Sequence, residues 1–202
     1  MRPFTQPAAH PAAHPAAHPG ADAVADPLAA PQPGSTADTV PRVQPLGLQD
    51  LDAVLAIEQG AYSHPWSRGN FSDALASGYW AQGLWLGDTL TGYCIAMRGV
   101  DETHLLNIAV KPDAQGHGWG RYLLDVLKAW SLEQGAQWLW LEVRESNHRA
   151  QTLYANVGFA RVGLRKAYYP SGREQRENAV VMSLALKAAP AARPVPEPAR
   201  PA

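Results

Sequence analysis

Only one of the 202 residues is a cysteine, Cys94, which excludes an intramolecular disulfide framework and any multi-cysteine zinc site. Neither sign of charge prevails: 17 Lys and Arg against 18 Asp and Glu leave a net charge of −1. Such a balance offers no basic footprint, so direct nucleic-acid binding is not expected. No apolar run approaches the roughly 18 residues of a membrane span, and none follows Met1-Arg2-Pro3, so neither a membrane helix nor a secretory signal is expected. Proline is scarce in the middle of the chain. Of 18 prolines, ten lie in 1–45 and five in 187–202, leaving Pro65, Pro112 and Pro170 between. All seven tryptophans fall in that proline-poor stretch. The foldable unit is therefore one domain, drawn at 43–186, between an Ala/Pro/His-rich tail (1–42) and an Ala/Pro-rich tail (187–202).

Within the first tail Ala-Ala-His-Pro occurs three times in succession over 8–19. Proline at every fourth position removes amide donors and disfavours helix in the residue before it, so both tails read as extended, solvated and coreless. His10, His14 and His18 make a loose metal site conceivable, but the pattern is compositional and no metal site is assigned to it.

The middle reads as a short strand at 43–46, a helix from a cap at Asp50 to Gly60, and a break at His64-Pro65-Trp66. A second helix is capped by Ser67, with Phe71, Ala74 and Leu75 on one face. Strands follow at 79–86, 90–100 and 103–110, close enough in sequence to be antiparallel neighbours. A helix with Leu123, Leu124, Val126, Leu127 and Trp130 as its stripe ends at Gly135. The continuous apolar run 138–143 reads as a strand buried on both faces. A helix at 147–157 and two strands at 161–169 and 178–186, around a polar loop at 171–177, close the domain. The expected fold is α/β: a mixed, mostly antiparallel sheet of six or seven strands flanked by about four helices.

Between the strand at 103–110 and the next helix lies Gln115-Gly116-His117-Gly118-Trp119-Gly120-Arg121. Strand, glycine loop and helix in that order make a phosphate cradle, because glycine lets the backbone approach an anion and the helix start presents unpaired amides. No Lys-Ser or Lys-Thr follows, as a P-loop requires, and the Gly-x-Gly-x-Gly spacing does not fit a dinucleotide fold. Taken alone, the glycines are equally those of a flexible turn.

The loop and its neighbours together resemble the GCN5-related N-acetyltransferases. Gln115-x-x-Gly118-x-Gly120 is similar to that family's acyl-CoA pyrophosphate motif, Asn107-Ile108-Ala109-Val110 to its pantetheine-lining strand, and Leu153-Tyr154-x-x-x-Gly158-Phe159 to its C-terminal signature. The family often has Arg after the Gln, where this chain has Gly116. Leu141-Glu142-Val143-Arg144-x-Ser146-Asn147, Tyr168-Tyr169-Pro170 and the early His64-x-Trp66-Ser67 narrow the resemblance to the bacterial ribosomal-protein alanine N-acetyltransferases, over about 43–186.

The resemblance implies acetyl-CoA as co-substrate, no metal, and an acyl-CoA site at Ile108, Ala109, Val110, Gly116, His117, Gly118, Trp119, Gly120, Arg121 and Asn147. It implies Glu142 as general base through a water, and Tyr154, twelve residues on, as general acid to the thiolate. Read from the residues alone, Glu142 ends a strand or pairs with Arg144, Tyr154 packs as an aromatic, and Asn147 caps a helix. Cys94 reads as core, His104, His117 and His148 share no ligand spacing, and Trp66, Tyr168 and Tyr169 suit core and acceptor groove equally. The implied function is transfer of acetyl to the N-terminal amine of a protein, the alanine of a small-subunit ribosomal protein, by a cytoplasmic enzyme taken as a monomer. Transfer to a lysine or small-molecule amine, and an acyl-CoA sensor without turnover, are the alternatives.

Overall fold

The computed structural model of the chain describes residues 40–171 and 175–186. The readings of 1–39 and 187–202 as tails lie outside the described residues. Seven strands form one sheet: β1 (Arg42–Pro45), β2 (Trp80–Leu86), β3 (Thr89–Arg98), β4 (Glu102–Val110), β5 (Trp138–Arg144), β6 (Ala160–Ser171) and β7 (Gln175–Ala185). The four α-helices are α1 (Leu51–Ala61), α2 (Arg68–Ala76), α3 (Trp119–Glu133) and α4 (His148–Val157). The strand order is β1-β2-β3-β4-β5-β7-β6, antiparallel throughout except between β4 and β5.

Local chemistry places most boundaries. Ser67 caps α2, its hydroxyl accepting from Asn70 N–H at 3.2 Å. Asp50 does not cap α1 as expected: its carboxylate accepts from Gly47 N–H at 2.8 Å and closes a 3₁₀ turn at Leu48–Asp50 instead. The first strand begins at Arg42, which pairs with Trp85, one residue before the strand start read from the sequence. The polar loop expected at 171–177 is largely strand, since Ser171 pairs with Gln175 and Pro170 with Arg176.

Two cores lie on opposite faces of the sheet. On one, Leu51, Val54, Ile57 and Ala61 of α1 pack with Trp66, Phe71, Tyr93, Ile95 and Ala109. On the other, Leu123, Leu124 and Leu127 of α3 and Tyr154 of α4 pack with Cys94, Leu105, Leu139, Leu141, Val143 and Val180. Each buried leucine contributes about 1.5–3 kcal/mol of apolar transfer. Val126, counted in the α3 stripe, is only half-buried, and Ser131 takes a buried place by bonding to Leu127 O at 2.7 Å. β5 is not buried on both faces: Leu139, Leu141 and Val143 are buried, whereas Trp138 is 43% exposed and Trp140 and Glu142 are half-buried. On its second face α1 lies over β3 and β4 rather than over β5.

The parallel pair is short. β4 and β5 are in register from Glu102↔Trp138 to Leu105↔Leu141 and no further. At that point β4 carries a bulge opposite Ile95 and Ala96, with Leu106 as the extra residue. Beyond it no pairing joins Leu106–Val110 to Glu142–Arg144, and this gap in the ladder, the cleft of the sheet, lies at the carboxyl ends of both strands. This is where open α/β sheets bind ligands.

Candidate active site

Backbone dictates the phosphate-loop end of the cleft. Gly116 and Gly118 have φ of +84° and +85°, and a Cβ on either would meet nothing within 4 Å. The loop therefore presents bare backbone to open space, in a conformation other residues rarely adopt. The first internal hydrogen bond of α3 is Tyr122 N to Gly118 O at 3.0 Å, so the amides of Trp119, Gly120 and Arg121 are the unpaired ones of a helix start. That donor set fits a pyrophosphate. Gly120 has a further reason to lack a side chain, since its Cβ would stand 3.2 Å from Leu153 of α4. Gln115 braces the loop: it donates to Val110 O at 3.0 Å and accepts from Arg149 Nη1 at 3.0 Å. Arg149 thus brings to this loop a guanidinium that position 116 lacks. His117 Nδ1 lies 3.1 Å from Gln115 O.

Ile108 and Val110 pack toward the α3 face and Ala109 toward the α1 face. The Ile108 carbonyl accepts a hydrogen bond from the buried Tyr62 hydroxyl. Asn147 has its carbonyl oxygen committed to capping α4, accepting from Ala150 N–H at 3.0 Å.

Glu142 and Tyr154 lie on opposite faces of the sheet. Tyr154 is buried with Val143 and Leu141 in the α3–α4 core, 5.8 Å from Phe159. Alternation along β5 turns Glu142 the other way. Tyr62 and Tyr169 lie near Tyr154, and Tyr169 lies near Glu142 as well. Burial raises the pKa of both hydroxyls well above the usual tyrosine value, and Tyr154 contributes to each. Glu142 adds to the shift of Tyr169. Tyr154 and Cys94 are themselves pushed up by burial. All of these groups hold their protons at neutral pH, and Cys94, fully buried, is core as expected.

The partner of Glu142 is not Arg144. Arg165 Nη1 of β6 stands 2.9 Å from Glu142 Oε1, with the side chains 40% and 25% exposed. Such a partly solvated pair is worth about 0–1 kcal/mol. The Tyr168 hydroxyl hydrogen-bonds to Glu142, and the Arg165 guanidinium carbon lies 5.3 Å from the Tyr168 ring centroid. Burial foremost, then Glu142, pushes the Tyr168 hydroxyl up to about 12.

Arg144 instead turns to the β6–β7 hairpin. Its side chain is 1% exposed, donates to Pro170 O at 2.8 Å and to Glu177, and lies 4.7 Å from the Tyr169 centroid. Burial alone would raise the Glu177 carboxyl, but the Arg144 hydrogen bond and charge, with Ser146, hold it below the usual range. Tyr168 is aimed by a bulge: β7 steps from Ala179 to Glu177 while β6 steps from Arg165 to Tyr169. Within it Ala167 has φ +48° and is held by Asn178, which accepts from its N–H at 3.0 Å, and by Arg176, which donates to its carbonyl at 2.6 Å.

The structure thus resolves the three aromatics. Trp66 is core, 5.2 Å from Phe71; Tyr169 is buried at the cleft; Tyr168 faces the open rim. Glu58, a fully buried carboxylate on α1, keeps helical spacing with Leu51, Val54 and Leu55, which marked it for the packed face but gave no sign of its partners. It accepts from Trp66 N–H at 2.7 Å, from Asn107 Nδ2 at 3.3 Å and from the Tyr93 hydroxyl, tying the Pro65 break to β4 beside the bulge. Its neighbours in space are far apart in the chain, so only the fold could reveal them.

The acetyltransferase (GNAT) family is matched over residues 51–159. The chain is 42% identical over 137 residues to the [ribosomal protein bS18]-alanine N-acetyltransferase of Haemophilus influenzae, spanning 68% of this chain and 93% of that one. The crystal structure of the ribosomal-protein-S18-alanine N-acetyltransferase from Escherichia coli superposes with a TM-score of 0.69 at 37% identity, over 74% of this chain and 96% of that one. An acetyltransferase of Salmonella typhimurium, solved with its cofactor acetyl-CoA, shares the fold: TM-score 0.61 at 18% identity, over 77% and 99%. Cleft, phosphate loop and sequence agree, and the chain belongs to the acetyltransferase (GNAT) family.

Proposed function

We propose that the protein transfers the acetyl group of acetyl-CoA to the N-terminal alanine amine of ribosomal protein bS18, with 43–186 as the catalytic domain. The observation that carries this reading is the placement of Glu142 and Tyr154 on opposite faces of one cleft, at whose mouth the phosphate loop lies. A 42% identical relative of nearly the same domain length bears that activity in its name. Among the described residues no helix is long and apolar enough to cross a membrane, in keeping with action in the cytoplasm.

In this mechanism the amides of Gly116–Arg121 hold the pyrophosphate, and Ile108, Ala109 and Val110 line the pantetheine arm. Asn147 keeps its capping role while its amide nitrogen remains able to donate. Acetyl-CoA supplies the activated acyl group from the α3–α4 face, and the amine enters from the Glu142 face. An α-amine, with pKa about 7.7–8.0, is mostly ammonium at pH 7 yet within reach of a carboxylate base. Glu142, through a water, passes one proton to solvent. The nitrogen–carbon bond then forms, the carbon–sulfur bond breaks, and the thiolate takes a proton from Tyr154, which is restored by the second proton of the nitrogen. Burial, which raises Tyr154, raises a thiol in the same place as Cys94 illustrates, so donor and acceptor remain matched.

Incubation with acetyl-CoA and synthetic peptides differing in their first residue, read by mass, tests the function. A gain of one acetyl group on the α-amine of alanine-initiated peptides is expected. Acetylation confined to lysine side chains would refute it.

A further inference from the structure

Glu142 already has a cation beside it. Two arginine–carboxylate pairs lie near one another on this face of the sheet, and they are built differently. Arg144 with Glu177 is sealed, at 1% and 20% exposure, and Pro170 O and the Tyr169 ring hold the guanidinium as well. Arg165 with Glu142 is open, at 40% and 25%, and among the described residues its partners are Glu142 and Tyr168. The first pair is a fastening. The second can exchange, since an exposed pair is weak and a solvated guanidinium loses little by moving away.

An acceptor amine that approaches Glu142 as ammonium, through a water, competes with Arg165 for the same negative charge. Two cations held close to one carboxylate repel, so the entry of one weakens the hold of the other. We propose that Arg165 is a resident stand-in for the acceptor ammonium. It compensates Glu142 between turnovers, yields it when a cationic amine enters, and recovers it once the nitrogen is a neutral amide. Acetylation makes that nitrogen neutral: the N–C bond forms, the C–S bond breaks, and of the two protons lost one ends on the thiol of CoA and one in solvent. The inference rests on the assignment of Glu142 to the amine. It makes Arg165 a residue that sets acceptor affinity according to the charge on the terminal nitrogen.

Calorimetric titration of CoA-saturated protein tests it. One alanine-initiated peptide, with a free amine or N-terminally acetylated, is titrated into the unaltered protein, Arg165→Met and Arg165→Lys. Arg165→Met is expected to bind the free-amine peptide about threefold tighter or more, with the acetylated peptide unchanged. Arg165→Lys keeps the competing charge, so both affinities should stay within about twofold. Uptake of CoA reports that each variant is folded, and Arg165→Gln replaces Arg165→Met should that variant fail to take it up. Weaker binding of both peptides would make Arg165 a strut. That result, an equal change for both peptides, or no change overturns the proposal while acetylation by the unaltered protein leaves the proposed function standing. Unaltered protein that takes up CoA but neither binds nor acetylates the free-amine peptide overturns both.

Discussion

In the proposed mechanism Glu142 works on the amine and not on the cofactor, so Glu142→Gln should lower turnover strongly while acetyl-CoA affinity persists. The deficit should shrink as pH rises and more of the amine is neutral without help. Steady-state rates against pH, beside a direct acetyl-CoA titration, check both halves, and full activity at neutral pH would remove Glu142 from the mechanism. Tyr154→Phe keeps the ring that packs on Phe159 and deletes one hydroxyl. A lost general acid costs roughly 10²-fold or more, about 2.7 kcal/mol in the barrier, whereas pure packing predicts near neutrality. Rates at saturating acetyl-CoA separate the two, and a change under about threefold leaves Tyr154 a core residue. Glu142, Tyr154 and the glycines could be singled out as candidates in the sequence because each sits inside a short motif that the resemblance covers. Arg165 was not. Register places Arg144, Ala179 and Arg165 side by side on β5, β7 and β6, so Arg165 reaches Glu142 across an intervening strand, a relation no local pattern encodes.

At the scale of elements, what decides the phosphate site is backbone shape. Gly118 is the residue before α3, at φ +85°. The Cβ of a valine there meets no protein atom within 4 Å, so the cost is the left-handed conformation itself, together with a side chain placed where the proposed anion would approach. Gly118→Val is expected to abolish acetyl-CoA binding by titration while the far-ultraviolet spectrum of the folded domain is retained. Unaltered binding would put the cradle elsewhere. Helices and hairpin strands were readable from periodicity and turn signals, with ends shifted by one to three residues. The reading of β5 failed for a definite reason. An apolar run predicts burial on both faces only if both are covered, and tryptophans tolerate a half-open face because of their size. The bulge in β6 was equally invisible, since Ala167 carries no glycine-like marker of its positive φ; the clamps from Arg176 and Asn178 impose it.

For the molecule as a whole, the fold class followed from the order of elements: successive hairpin strands, then strands alternating with helices. The exchange of β6 and β7 in the sheet order did not, because nothing in the chain says which of two final strands inserts beside β5. That order leaves β1–β4 and β5–β7 as two antiparallel panels whose backbones meet in the short register from Glu102↔Trp138 to Leu105↔Leu141. Mechanically the sheet is two leaves riveted at one end. A ligand lying along the unriveted edges supplies the missing stitches, and binding that favours the folded state stabilises it by RT ln(1 + [L]/Kd), about 2.7 kcal/mol at a hundredfold excess over Kd. Amide exchange should therefore slow on addition of acetyl-CoA, most at Leu106–Val110 and Glu142–Arg144, and least in the β1–β2 pair at the far edge. Uniform slowing across the sheet would mean that the leaves already move as one plate.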